Sequence, residues 1–219
     1  MSTSPDRAPI EARWPAALTV VGLLGLLVAV PGRVRLLPVW GLYLIAGIAL
    51  LPMLVASLSR PRGARGERIA MAVFFIIAVP AILVMLAKLV VGVVRGDSAL
   101  GGLQLLITSS TLWVANVLIF ALMYWHVDRD GPAARASDNL PRPDWLFPQY
   151  GLPPEQAPGG WLPTFVDYLY LALSTATAFS TTDVAPLTSR AKQLMMLELS
   201  ISLVMIVVLG ARAINILGS

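Results

Sequence analysis

The sequence predicts an all-α, multi-pass membrane protein. Hydrophobic residues make up 57% of the 219 residues, and charged residues only 13%. Soluble domains carry about 25% charged residues, so this low share and a mean hydropathy of +0.77 indicate several membrane-spanning helices. We therefore expect a protein integral to the cell (inner or plasma) membrane, with the lipid bilayer as a partner.

Five apolar runs are long enough to cross the hydrocarbon layer, which takes roughly 17 to 25 helical residues. They are Trp14–Val30, Leu36–Leu58, Ile69–Val94, Leu103–Trp125 and Gln193–Leu217. A sixth segment, Phe165–Thr182, is barely long enough to cross, and its second half is rich in hydroxyl groups. The prediction is five transmembrane helices plus a re-entrant pore-helix hairpin, with six transmembrane helices as the alternative.

The runs divide the chain into three parts. Residues 1–125 hold four transmembrane helices, residues 126–164 form an extramembrane loop, and residues 165–219 hold the hairpin and the last transmembrane helix. The loop is rich in proline, so we expect an extended cap over the helix ends with no regular helix or sheet. Trp145 and Phe147 lie beside a charge in this loop, a pattern typical of a membrane interface.

Several kinds of chemistry are excluded by composition. Cysteine is absent and His126 is the only histidine, which argues against thiolate catalysis, disulfides and a histidine-built metal site. No H-E-x-x-H, G-x-x-x-x-G-K-[ST] or G-x-S-x-G motif occurs. We predict neither an enzyme nor a bound cofactor. The net charge of +4 is spread over loops and fits anionic lipid rather than nucleic acid.

Polar residues inside the apolar runs have mostly structural interpretations. The hydroxyls of Thr108–Thr111 are expected to bond back to their own helix or to a neighbouring helix. Asp167 is expected to cap the helix that begins near Phe165. Glu198 lies inside the last apolar run, where it could line a pore, pair with Lys88, or lie at the membrane interface.

The most informative stretch is Thr175–Thr188, in which seven of fourteen residues are Ser, Thr or Asp although apolar runs lie on both sides. Its spacing, T-A-T, five residues, then D-x-x-P-L-T, resembles the pore hairpin of potassium channels. The resemblance implies that Thr175 and Thr177 end a pore helix and that Asp183 stands at the pore mouth. It also implies that Gly210 lies near the hinge of an inner helix, and that four subunits surround an axis through which monovalent cations pass.

The chain departs from that family at the filter. Where the family has T-V-G-Y-G, this sequence has a run without glycine, namely Ala178, Phe179, Ser180, Thr181 and Thr182. Those glycines let successive carbonyl groups point at the ion, and β-branched Thr182 is especially unsuited to that conformation. We expect a wider, hydroxyl-lined vestibule with Phe179 as a constriction, giving weakly selective cation conduction or none.

Orientation and function each keep an alternative. The basic loop around Arg60–Arg68 belongs in the cytoplasm by the positive-inside rule, which places the 126–164 loop there too, whereas a potassium-channel hairpin enters from outside. A full crossing by Phe165–Thr182, a violated charge rule or an inverted hairpin would each remove the conflict. The alternative function is a membrane carrier or accessory (scaffold) protein whose polar residues line an intramembrane pocket.

Overall fold

The structure, a computed structural model of the chain, describes residues 14–30, 32, 41, 47, 64–95, 102–135, 140–153, 155–156, 161–177 and 183–217. The predicted second span, Leu36–Leu58, therefore lies outside the described residues except for two glycines, as do the filter-like residues 178–182.

The described part is mostly helical. Apolar sequence forms the helices α1 (Trp14–Ala29), α2 (Ala64–Val94), α3 (Gly102–Val127), α4 (Pro132–Arg135), α5 (Phe165–Thr177) and α6 (Ser189–Leu217). Three helical segments, within α2, α3 with its 3-10 turn, and α6, are long and apolar enough to cross a membrane, while Trp14–Val28 is a shorter apolar helix. These findings confirm a mostly helical protein with three helices that could span a membrane. They do not fix the number of crossings.

Helix α3 is the central element. It contacts α1, α2, α5 and α6, and its second half from Ala115 to His126 is almost wholly buried. The hydrophobic core runs continuously from α1 and α2 through α3 to α5 and α6. Since α3 touches every other long helix, it positions each of the polar groups described below.

The loop after α3 is more regular than the sequence predicted. A 3-10 turn (Asp128–Asp130) leads into α4, and a second one covers Pro148–Gly151. Strand β1 (Trp145–Leu146) pairs antiparallel with β2 (Ala185–Pro186). The expectation of no regular helix or sheet is therefore wrong. Proline is tolerated because each of these elements is only two to four residues long.

The aromatic residues of β1 and its flank do not lie at a lipid interface. Trp145 is fully buried, and its indole nitrogen donates to the Met195 sulfur at 3.4 Å. Phe147 is also buried and meets the Tyr168 ring edge-on. The interface expectation is wrong because the loop folds onto α5 and α6, which gives these rings a protein surface to cover.

The starts of α5 and α6 lie at the same end of the molecule, beside the end of α3. Tyr168, in the first turn of α5, bonds to Asp128 just after α3, and Arg190, in the first turn of α6, bonds to Asp144 in the loop. The β1–β2 pairing joins the loop before α5 to the segment after it. Residues 183–188, which lead into α6, thus lie at the end from which α5 started.

Candidate functional site

Asp128 is the anchor of this shared end. Its side chain is fully buried, and both carboxylate oxygens are used. Oδ1 accepts the Asp144 backbone N–H at 2.7 Å, and Oδ2 accepts the Tyr168 hydroxyl at 2.6 Å. One carboxylate therefore holds the loop and α5 against the end of α3, through short bonds of the kind that charge strengthens.

Asp144 ties the same loop to α6. Its buried carboxylate receives Nε of Arg190 at 2.6 Å and Nη2 at 2.5 Å, a two-pronged contact with one guanidinium. It also receives the Thr188 hydroxyl at 2.6 Å, whose oxygen in turn accepts the Ala191 N–H at 3.2 Å. Thr188 is thus the N-cap of α6, and Asp144 fixes that cap. We call Asp128, Asp144, Tyr168, Thr188 and Arg190 the anchor cluster.

Two further arginines stiffen the turn after α3. Arg135 donates to the backbone oxygens of Trp125 and Asp128, and its guanidinium lies over the Trp125 and Tyr168 rings. Arg129 donates to the Pro141 carbonyl oxygen and the Tyr150 hydroxyl. Burial raises the pKa of Tyr150 above its ordinary value, although the adjacent Arg129 opposes that rise. These cations are committed to backbone and aromatic partners within the protein.

The predicted cap at the start of α5 is confirmed. Oδ2 of Asp167 accepts both the backbone N–H of Thr164 at 2.7 Å and its hydroxyl at 2.8 Å. The Asp167 carboxylate thus satisfies the backbone N–H of Thr164, just before the helix, which has no partner within the helix. The hydroxyls of Thr108, Ser109 and Ser110 also behave as predicted, since each donates to the carbonyl four residues earlier in α3.

A second polar group lies deeper, between α3 and α6. Tyr124 donates to Oε2 of Glu198 at 2.5 Å, and Nδ2 of Asn116 donates to the Ser202 hydroxyl at 2.9 Å. All four residues are fully buried. Glu198 and Ser202 are four residues apart and therefore lie on one face of α6. We call these four residues the buried polar ladder.

Two of the three interpretations of Glu198 are wrong. Its side chain is fully enclosed by protein, so it does not lie at a lipid interface. Lys88 is exposed on α2 and does not pair with it. The partner is instead Tyr124, which also has the Thr175 side chain within hydrogen-bonding reach. Through Tyr124, the structure thereby brings together Thr175, near the end of α5, and Glu198, in α6. The sequence analysis had assigned these two residues to different parts of the site.

Of the remaining predicted site residues, the structure describes some and leaves others outside the described part of the chain. Thr177 ends α5 and bonds to the Ser174 carbonyl oxygen, but residues 178–182, the filter-like run, lie outside the described residues. Asp183 is exposed and lines an open hollow of about 560 Å³ together with Lys192 and Met196. Gly210 has open space where a side chain would project, and nothing about the backbone there demands glycine.

Sequence reasoning missed the anchor cluster and most of the buried polar ladder. Asp128 and Tyr168 are 40 residues apart, and Tyr124 and Glu198 are 74 apart, so no local spacing connects them. The one available signal was chemical. Asn116 interrupts an apolar run on α3, and a lone amide inside a span usually has a polar partner on a neighbouring helix.

Within the described residues, no group of three or more His, Asp or Glu side chains is placed to hold a metal ion. No family model, curated protein or solved structure matches the chain.

Proposed function

We propose that the protein is a potassium-channel-like membrane pore protein whose C-terminal hairpin dips into the bilayer and returns to the side it left. In this proposal α5 is the pore helix, residues 178–182 replace the filter, and α6 is the inner helix. The pore passes monovalent cations with weak selectivity, through a homo-oligomer of four subunits by resemblance.

The observation that carries the proposal is the shared end of α5 and α6. Helix α5 has 13 residues and is therefore about 20 Å long, whereas the hydrocarbon layer is about 30 Å thick. The anchor cluster joins the first turn of α5 and the first turn of α6 to the end of α3. A short helix entering the layer, followed by a return to the same side, supports a re-entrant hairpin over a sixth transmembrane helix.

The outer surface of α6 supports assembly. Its exposed side chains are apolar over several turns, including Met196, Leu203 and Val207, and they face away from α3. One hairpin cannot enclose a pore, so a conducting form requires several copies around an axis. A protein that remains monomeric in native membranes, measured by cross-linking and by native mass spectrometry, would refute conduction through such an axis.

The hollow beside Asp183 supplies the functional test. In the proposal its carboxylate faces the pore mouth and concentrates cations, while Lys192 on the same hollow repels them. Asp183→Asn should lower the initial rate of K⁺ or Na⁺ flux into liposomes up to about tenfold at low ionic strength. Lys192→Gln should raise it. Both changes should shrink in about 1 M salt, where charges are screened within about 3 Å.

Glu155→Gln is the matched control, because it removes an exposed carboxylate from the loop without touching the hollow. Its flux should equal that of the unchanged protein. Equal flux in the Asp183 and Lys192 variants would contradict an electrostatic pore mouth. Flux no greater than in empty liposomes, for the unchanged protein, would contradict conduction itself.

The second candidate function, a carrier or accessory protein with a polar pocket inside the membrane, is favoured by the buried polar ladder. Its polar groups lie between α3 and α6 inside one subunit, away from the exposed face of α6. A carrier needs no oligomer, so a functional monomer that exchanges solute would favour it over the pore.

A further inference from the structure

The buried polar ladder contains an acid with no compensating charge. Glu198 is the tenth residue of α6, so its backbone lies about 14 Å along the helix from the anchored end. That depth is close to the middle of a hydrocarbon layer about 30 Å thick. A carboxylate there is costly unless it is paired, and such residues in membrane proteins usually serve a function.

The groups that face Glu198 can be named from each neighbouring helix. From α3, the neutral Tyr124 donates to Oε2. Helix α5 contributes Thr175, which does not titrate, and Lys88 on α2 is exposed rather than turned inward. Helix α1 carries no ionisable residue between Trp14 and Ala29. In the described part of the chain, therefore, no cation neutralises this carboxylate.

One oxygen of the carboxylate is left over. Oε1 of Glu198 is buried and has no hydrogen-bond partner among the described groups, and the same holds for Oδ1 of Asn116. Asn116 is bound to Ser202, one helical turn beyond Glu198. A buried polar atom without a partner costs about 1–3 kcal/mol, and more if it is charged. Two acceptor oxygens of the buried polar ladder thus lack a donor, and one of them belongs to a carboxylate without a compensating charge.

We infer that Glu198 and Tyr124 form a proton-binding site inside the membrane, in which Oε1 of Glu198 takes up and releases one proton. A proton satisfies the site because it neutralises a single carboxylate and needs one oxygen atom. An alkali cation would need a shell of several oxygens, as in the carbonyl rings of ion filters.

The inference goes beyond the pore proposal, since the site lies within one subunit and does not depend on ion flux. Proton binding at Glu198 is thereby coupled to the contact between α3 and α6. Loss of the proton leaves a full negative charge between α3 and α6, which must then admit water or separate at Tyr124. Protonation restores a neutral interface.

Infrared spectroscopy tests the site on the full chain in liposomes, because a protonated carboxylic acid has a carbonyl stretching band that a carboxylate lacks. We expect this band at neutral pH, its downward shift on transfer to D₂O, and its disappearance as the pH is raised. Glu198→Gln should abolish it and Glu155→Gln should leave it unchanged. Tyr124→Phe should shift it upward by removing one hydrogen bond, and this variant keeps the test available if Glu198→Gln does not fold.

Three results would overturn the inference. The band could be the same in Glu198→Gln and in the unchanged protein, which would mean that Glu198 carries no proton. It could fail to shift in D₂O, which would make the proton a fixed structural one. It could vanish at constant pH on addition of Na⁺ or K⁺, which would make an alkali cation the occupant. None of these measurements depends on flux, so failure of the proton site and failure of the pore are distinguishable.

Discussion

Replacing Asp144 by Asn should destabilise the protein strongly. The substitution keeps the shape of the side chain but removes the charge and exchanges one acceptor oxygen for a donor. Two bonds from Arg190 and one from Thr188 converge on the present carboxylate, at 2.5 to 2.6 Å. Hydrogen bonds to a charged group contribute about 1.5–3 kcal/mol each.

The expected loss is smaller than the sum of those bonds. Arg190 is 50% exposed, so water solvates its charge once the carboxylate is gone. An asparagine oxygen in the Oδ1 position also retains two of the three contacts, those from Arg190 Nε and the Thr188 hydroxyl. Losing one charged bond and weakening the others gives a destabilisation of about 2–3 kcal/mol, below the 3–5 kcal/mol typical when a fully buried ion pair is broken.

Asp130→Asn is the matched control because Asp130 contacts the same arginine. Its oxygen lies 3.7 Å from Nη1 of Arg190, and its side chain is 50% exposed. An exposed pair of this kind contributes about 0–1 kcal/mol. Asparagine also tolerates the backbone there, whose φ is 59°.

Stability would be measured by reversible unfolding in mixed micelles of detergent and SDS, followed by tryptophan fluorescence. The Asp144 variant should unfold at clearly lower SDS content, and the Asp130 variant close to the unchanged protein. Equal losses in the two variants would refute the argument that burial and two-pronged geometry make Asp144 the anchor of α6.

Two further results are expected. Gly131→Ala should destabilise the protein by about 1–3 kcal/mol in the same assay, since φ is 94° and an added Cβ would lie 3.0 Å from a backbone oxygen. The control Gly151→Ala places its Cβ in open space and should have little effect. Similar losses of stability in the two variants would contradict this argument. Single cysteines replacing Gln156 and Leu187 should react with an impermeant maleimide from the same side of the membrane, and one replacing Arg95 from the other. Labelling of Gln156→Cys and Leu187→Cys from opposite sides would restore the six-helix alternative.

The helices were predictable because a helix that crosses lipid needs apolar residues along its whole length, which gives a continuous apolar run in the sequence. Ile69–Val94, Leu103–Trp125 and Gln193–Leu217 were each found as long helices, with ends displaced by a few residues. The cap at Asp167 was predictable for a similar reason, since its partner Thr164 lies three residues away. Both signals are local in sequence.

The anchor cluster and the polar ladder were not predictable, since each bond joins residues that become neighbours only after the helices pack. The charge beside Trp145 that we expected at a membrane interface is Asp144. It is buried instead, because the pairing of β1 with β2 places it against Arg190. For Glu198, three alternatives remained open because nothing in the sequence indicated that α3 and α6 lie antiparallel with Tyr124 opposite. The surroundings of both carboxylates are set by contacts between residues far apart in the sequence, and the residue types alone did not indicate those contacts.

The side-chain hydrogen bonds of α6 to other elements lie in the first half of this helix, so its second half can move like the arm of a lever. Its first four turns are held by hydrogen bonds of Arg190, Glu198 and Ser202. Beyond Ser202, the side chains that the structure describes hold it to the core by apolar packing alone, through Met205 and Val208. The arm from Leu203 to Leu217 has 15 residues and is about 22 Å long. Because apolar packing is not directional, a tilt of about 10° around Ser202 would carry the tip of this arm about 4 Å sideways, so small changes at Ser202 are amplified at the end of the helix.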